Sequence, residues 1–164
     1  HTPEEARAAM EDAARFGDEV LVEQFVEGKE LTVGIVGEEV FPIVHIVPRE
    51  GFYDMSNKYP WMSGEGGTDY YCPANLDGKT TKIVQDAALA AHRALGIEVY
   101  SRVDILLDSL SNPYILEANT IPGMTASSLL PKGAAAAEPG YGFGALCRRI
   151  GELSLSLRRT DAPS

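Results

Sequence analysis

The spacing of apolar residues changes several times along this chain, and each change marks an element. Thr2-Pro3-Glu4-Glu5 reads as a helix start, with a Thr cap, Pro at the first helical position and Glu three residues after the cap. That helix is expected to run to about Phe16, with Gly17 as its stop. Val20 to Val26 (VLVEQFV) then reads as a strand, Glu27-Gly28-Lys29 as a turn, and Glu30 to Gly37 (ELTVGIVG) as a second strand. Leu31, Val33 and Ile35 share one face of the second strand. Glu38-Glu39 turns into a third strand, VFPIVHIVP, in which Pro42 suits an edge or a bulge and Pro48 marks the end. The three form an antiparallel meander.

Gly51 to Thr68 has no sustained period and is rich in Gly, Ser and aromatic residues. Phe52, Tyr53, Tyr59 and Trp61 argue against plain disorder, so the segment reads as a lid that orders on a ligand. DYYCP is a short strand. Asp77 caps a helix to Leu95, with Ile83, Ala87, Ala91 and Leu95 predicted on its buried face and Gly96 as its stop. A hairpin from Val99 to Asn119 follows, then a short helix over about Leu129 to Glu138. A last helix carries Leu146, Ile150, Leu153 and Leu157, and the tail after Arg158 is expected to fray.

The hairpin carries the candidate chemistry. Period-two alternation puts Arg102, Asp104, Leu106 and Asp108 on one face of its first strand, and Ile115, Glu117 and Asn119 on one face of its second. With Ser109 to Asn112 as the return, Asp108 faces Pro113, Asp104 faces Glu117 and Arg102 faces Asn119. Two carboxylates directly opposed repel each other unless a cation lies between them. Asp, Glu and Asn offer only oxygen, which suits Mg²⁺ rather than zinc or copper. An exposed face with a salt bridge from Arg102 is the other reading these residues allow.

Composition narrows the partners. The formal net charge of -10 argues against nucleic acid or an anionic membrane, although a local cluster of cations still accommodates a small anion. Cys72 and Cys147 form neither a disulfide framework nor a metal-ligand spacing and suit a reducing, cytosolic setting. No apolar run approaches a membrane span and no signal peptide is visible. The chain begins at His1, already in a helix, so a fragment of something longer is expected. Gly78-Lys79-Thr80 resembles the tail of a phosphate-binding loop, but Pro73 stands where that loop needs glycine. His45 and His92 have no matched nucleophile nearby and read as structural, which disfavours nucleophilic hydrolysis.

Five stretches in order, VLVEQFVEGKELTVGI, FYDMSNKY, YYCPA, SRVDILLD and LEANTIPGMTASSLLPK, resemble the C-terminal half of the D-alanine–D-alanine ligases, members of the ATP-grasp superfamily. The resemblance runs from about Val20 to Leu157. It implies an α+β fold, the ATP-grasp C-terminal lobe, with an antiparallel sheet and helices packed on one face. It implies an ATP-grasp domain over residues 1–164: nucleotide-binding strands at 1–48, a lid loop at 49–69, a metal- and substrate-binding core at 70–158 and a disordered tail at 159–164.

The same resemblance assigns roles. Asp104, Glu117 and Asn119 match the magnesium ligands, for two ions bridging the β- and γ-phosphates of ATP; Mn²⁺ is an alternative. Arg102 matches the arginine that steadies the oxyanion of the tetrahedral intermediate. The segment Glu23, Gln24 to Val26 matches the lining of the adenine site, and Glu30 the carboxylate that holds the ribose. In the lid, Lys58 would reach the phosphates and Tyr59 would close over substrate. Tyr59 looks like the ligases that use a second D-alanine amine; ester-forming relatives carry a different lid residue. Ser127 and Ser128 open a helix whose free amides favour an anion, here the carboxylate of the second D-alanine. Ser128 would anchor that carboxylate rather than act as nucleophile, with backbone contacts from Gly123 and Leu129.

The pattern departs from the family in three places. The lid segment Pro60 to Gly67 is longer than usual, and Ala126-Ser127 replaces the common Ser-His. The chain also lacks the N-terminal domain and the first half of the ATP lobe, which supply a glycine-rich phosphate loop, a lysine, and a glutamate and serine for the first substrate. The expectation is a cytoplasmic ligase joining two D-alanines through a D-alanyl phosphate for peptidoglycan synthesis, homodimeric at full length, with this fragment alone inactive. Another ATP-grasp carboxylate–amine ligase, or a nucleotide-binding module without catalysis, are the alternatives.

Overall fold

Leu31 to Val36 are buried without a break, so the strand that holds them must be covered on both faces and both edges. That strand, β1 (Lys29–Val36), is the centre of the sheet in the structure, a computed structural model that describes residues 2–49 and 67–160. The other strands are β2 (Glu39–Val40), β3 (Val44–Pro48), β4 (Thr68–Tyr71), β5 (Tyr100–Leu107) and β6 (Pro113–Asn119). Their order is β4-β3-β1-β5-β6, with β2 folded back on β1, and every pairing is antiparallel.

Helix α1 (Pro3–Ala13) starts as the sequence predicts: Glu5 N–H donates to the Thr2 hydroxyl at 3.2 Å and Thr2 N–H donates to the Glu5 carboxylate at 2.8 Å. It ends three residues before Phe16 and buries none of its residues. Helix α2 (Gly78–Ala94) packs Val84 and Ala88 on the face made by Leu31, Val33, Ile35, Val103, Ile105 and Leu107. Short α3 (Leu129–Ala135) and α4 (Phe143–Thr160) gather Leu130, Ala134 and Leu146 around Val36 and Phe41, with Leu130 lying over Gly34.

Four expectations fail for physical reasons. Val20 to Val26 is not a strand: Leu21, Val22 and Phe25 are exposed, and no described sheet edge lies against them. A strand exists through pairing, and β-propensity alone does not supply a partner. The third strand breaks into β2 and β3 at Pro42, which has no N–H for a ladder, while Phe41 N–H donates to Gly34 C=O at 2.9 Å.

The buried stripe of α2 is Thr80, Val84, Ala88 and His92, one step round from the apolar one predicted, and Leu95 is 65% exposed. Polar Thr80 and His92 hid that stripe, and both are satisfied: Thr80 Oγ1 donates to Asp77 at 2.6 Å and His92 Nδ1 bonds the Ser101 hydroxyl at 2.8 Å.

The hairpin keeps Asp104 opposite Glu117 and Arg102 opposite Asn119, but Leu107, not Asp108, faces Pro113. Leu116 is an extra residue that bulges the ladder between those two registers. Asp108 instead ties the return, accepting from the N–H groups of Leu110 and Asn112 at 2.8 Å each.

Candidate functional site

The register sets one row of side chains across four strands on the face away from α2: Val44, Thr32, Asp104, Glu117. Rows on either side hold Gly34, Arg102 and Asn119, and Ile46, Glu30 and Leu106. The carboxylates of Asp104 and Glu117 and the amide of Asn119 therefore share this face, next to Arg102. Strand alternation on β5 and β6 is enough to place them so, because the bulge at Leu116 lies beyond Glu117 on the turn side.

Asp104 is tightly held. Arg102 donates from Nε to Oδ1 at 3.0 Å and from Nη2 to Oδ2 at 2.7 Å, the two-point geometry of a guanidinium on a carboxylate. Thr32 Oγ1 donates to Oδ1 at 2.5 Å from the buried side. The ion pair is largely out of solvent, with 10% of the Arg102 side chain and 16% of the Asp104 side chain exposed. Removing either partner would leave a poorly hydrated charge. Glu117 is exposed and has no hydrogen-bond or ionic partner among the described residues. Asn119 Oδ1 accepts from Ile121 N–H at 3.0 Å and keeps one lone pair.

This donor set fits a hard divalent cation: two carboxylates on facing strands and one amide oxygen, with one carboxylate unengaged. No three His, Cys, Asp or Glu side chains converge among the described residues, so the third protein oxygen would be Asn119. Arg102 occupies both oxygens of Asp104, and a cation at that carboxylate would share them with it.

Beside the row opens a cavity of about 620 Å³ lined by Glu23, Gln24, Phe25 and Val26, by Glu30, and by Ile46, Leu106 and Leu116. Its lining is mostly apolar and includes the carboxylate residues Glu23, Glu27 and Glu30, which suits a planar ring with a hydroxylated appendage. Every described residue predicted to bind nucleotide lines it. A hollow of about 750 Å³ on another side, near Lys29, Asp77 and Asp108, contains none of them. Two of its carboxylates, Asp77 and Asp108, are already engaged by Thr80 and Asn112.

At the far end of the face, Ser128 caps α3. Its hydroxyl accepts from Thr125 N–H at 3.0 Å and bonds the Thr125 hydroxyl at 2.8 Å. A Cβ at Gly123 would stand 2.9 Å from that hydroxyl, so the absent side chain is what lets the loop close on Ser128. Leu129 is buried with Val44 and Ile46, fixing the start of α3 to β3. Lys58 and Tyr59 lie outside the described residues. The ends of their segment meet where Arg49 N–H donates to Gly67 C=O at 2.8 Å and the Arg49 guanidinium pairs with Asp69 at 2.8 Å.

Sequence reasoning missed Thr32, Ile46, Leu106 and Leu116. Period two starting from Glu30 points to Thr32, but only the β1–β5 pairing shows that it faces Asp104. Leu116 becomes a cavity wall through a bulge, for which period-two reading has no signal.

Comparison with known proteins agrees with the fold. The chain is 45% identical over 146 residues to a D-alanine–D-alanine ligase of Methylacidiphilum infernorum, covering 89% of the chain and 46% of that protein. Among solved structures, the D-alanine–D-alanine ligase of Bacillus anthracis complexed with ATP superposes with a TM-score of 0.79 at 30% identity, over 99% of this chain and 50% of that one. The VanG D-Ala:D-Ser ligase of Enterococcus faecalis gives 0.76 at 30% identity, over 93% and 43%. The chain spans about half the length of the curated relatives it matches. Residues 1–151 match the family model described as the D-ala D-ala ligase C-terminus, and the chain belongs to that family.

Proposed function

We propose that this chain is the nucleotide- and metal-binding part of an ATP-dependent ligase that joins two D-alanines for peptidoglycan synthesis in the cytoplasm. The observation that carries the reading is the row Thr32, Asp104, Glu117 beside a cavity ringed by Glu23 to Val26 and Glu30. The D-alanine–D-alanine ligase activity of the relatives, and the ATP in the Bacillus anthracis structure, support it. Adenine would lie on Ile46, Leu106 and Leu116 against the backbone of Glu23 to Val26, and Glu30 would take the ribose hydroxyls. Mg²⁺, held by Asp104, Glu117 and Asn119, would supply charge neutralisation at the phosphates.

In the proposed reaction a carboxylate oxygen of the first D-alanine takes the γ-phosphoryl group, giving an acyl phosphate and ADP. The amine nitrogen of the second attacks the acyl carbon, the carbon–oxygen bond to phosphate breaks, and the amine proton passes to solvent. Arg102, behind Asp104, would steady the oxyanion. Ser128 and the amides near Gly123 and Leu129 would hold the acceptor carboxylate. Lys58 and Tyr59 would close over the reactants, and Tyr59 would favour an amine acceptor. The protein at its natural length would act as a homodimer, independent of nucleic acid and membrane. The chain's coverage of only half of its relatives favours a second reading for these 164 residues alone: they would bind nucleotide without turnover.

Phosphate release tests the proposal. The protein at its natural length should release phosphate from Mg-ATP only when D-alanine is present. Glu117→Gln should abolish that release while leaving the melting temperature unchanged. Near-normal turnover of this variant at saturating Mg²⁺ would refute the metal assignment, and nucleotide binding with no D-alanine-dependent release would leave only the binding module.

A further inference from the structure

Thr32 is 1% exposed and lies in the middle of the sheet, and its hydroxyl donates to a charged group on the next strand. It has one proton and, among the described residues, two acceptors in reach: Asp104 Oδ1 at 2.5 Å and Val103 C=O at 3.2 Å. The shorter, charged acceptor takes the proton, because a bond to a carboxylate is about twice as strong as one to a neutral carbonyl. Thr32 thus pins one named oxygen of Asp104 from below. Among the described residues the other oxygen, Oδ2, is held only by Arg102 Nη2, from the same strand two residues away.

We infer that Thr32 is a positioning residue for the divalent cation. It anchors Oδ1 through a fixed neutral donor and leaves Oδ2 as the oxygen that swings from Arg102 to metal. The inference rests on the metal reading of Asp104 and Glu117 and extends it to a residue that reading does not include. Two features of the geometry lead to it. The donor is on β1, whose backbone is locked between β3 and β5, so the Oδ1 bond survives whatever Arg102 does. The donor is also uncharged, so it does not repel an arriving cation as a second guanidinium would. A carboxylate anchored at one oxygen would present the other singly, which suits a small hard cation bound through few carboxylates. Hydrogen bonds of this kind to metal ligands are worth 10–100-fold in metal affinity.

Direct metal binding separates this from a merely structural role. Mn²⁺ is titrated into the protein at its natural length with a non-hydrolysable ATP analogue, and free Mn²⁺ is followed by its paramagnetic resonance signal. Thr32→Val keeps the shape and removes the hydroxyl; it should weaken Mn²⁺ binding about tenfold or more and raise the Mg²⁺ concentration needed for half-maximal phosphate release. Thr32→Ser restores the hydroxyl and should bind Mn²⁺ within about twofold of the parent. If Thr32→Val does not fold, Thr32→Ala against Thr32→Ser makes the same comparison. Parent-like Mn²⁺ affinity in Thr32→Val, or equal weakening in the Ser and Val variants, would overturn the inference while leaving the metal site standing. Parent binding that Asp104→Asn does not reduce would overturn both.

Discussion

At the scale of single residues, burial favours the neutral form of two imidazoles. Burial holds the imidazole of His92 below the ordinary histidine range, with Glu38 opposing and Arg93 adding to the effect. His45 is lowered by burial and then by Lys29. Both rings are therefore neutral in the fold at pH values where the unfolded chain already takes protons. Since the unfolded state binds more protons, stability is highest above about pH 6.5 and falls as pH drops below it, until the depressed folded-state values are reached. The melting temperature should decline between about pH 7 and 5. Replacing the imidazole by an aliphatic side chain in His92→Leu should shrink that decline, and a slope identical to the parent's would show that His92 is not its source. The structural reading of this histidine was legible because no serine or cysteine stands beside it in the chain, and its burial at 1% exposure agrees with that reading. Its partner Ser101 was not, since their contact at 2.8 Å depends on how α2 crosses β5.

At the scale of elements, the alternation of β5 and β6 was readable and their ladder was not. Facing Asp104 with Glu117 needs only period two and a return of about the right length. The bulge at Leu116 needs knowledge of what that side chain does. Deleting Leu116 would join Ile115 directly to Glu117 and give a regular ladder, with both flanking registers kept. The variant should stay folded yet bind an ATP analogue several-fold more weakly, because a cavity wall is gone; unchanged affinity would separate the bulge from the cavity. Gly28 makes the opposite case. A Cβ there would stand 2.4 Å from the Leu107 carbonyl oxygen, and backbone cannot retreat as a side chain can. Gly28→Ala should cost about 1–3 kcal/mol in urea denaturation, as overpacking does. The turn at Gly28 was visible in the sequence, but the strand crossing it so closely was not.

At the scale of the whole molecule, helix caps, the antiparallel sheet and the resemblance of five separate stretches were all in the sequence. The failure at Val20 to Val26 shows what was not: a segment can have the composition of a strand and still lack an edge to pair with. The site inherits this difference. One wall of the cavity belongs to the locked central strand β1, and the other, Glu23 to Val26, belongs to a segment without ladder hydrogen bonds among the described residues. The two walls should therefore keep different time. In deuterated water the amides of Leu31 to Val36 should exchange over hours or longer, and those of Leu21 to Gln24 within seconds. A purine whose ring edge hydrogen-bonds that backbone would slow the fast set and leave the slow set unchanged, so exchange at a few amides would report occupancy without any turnover.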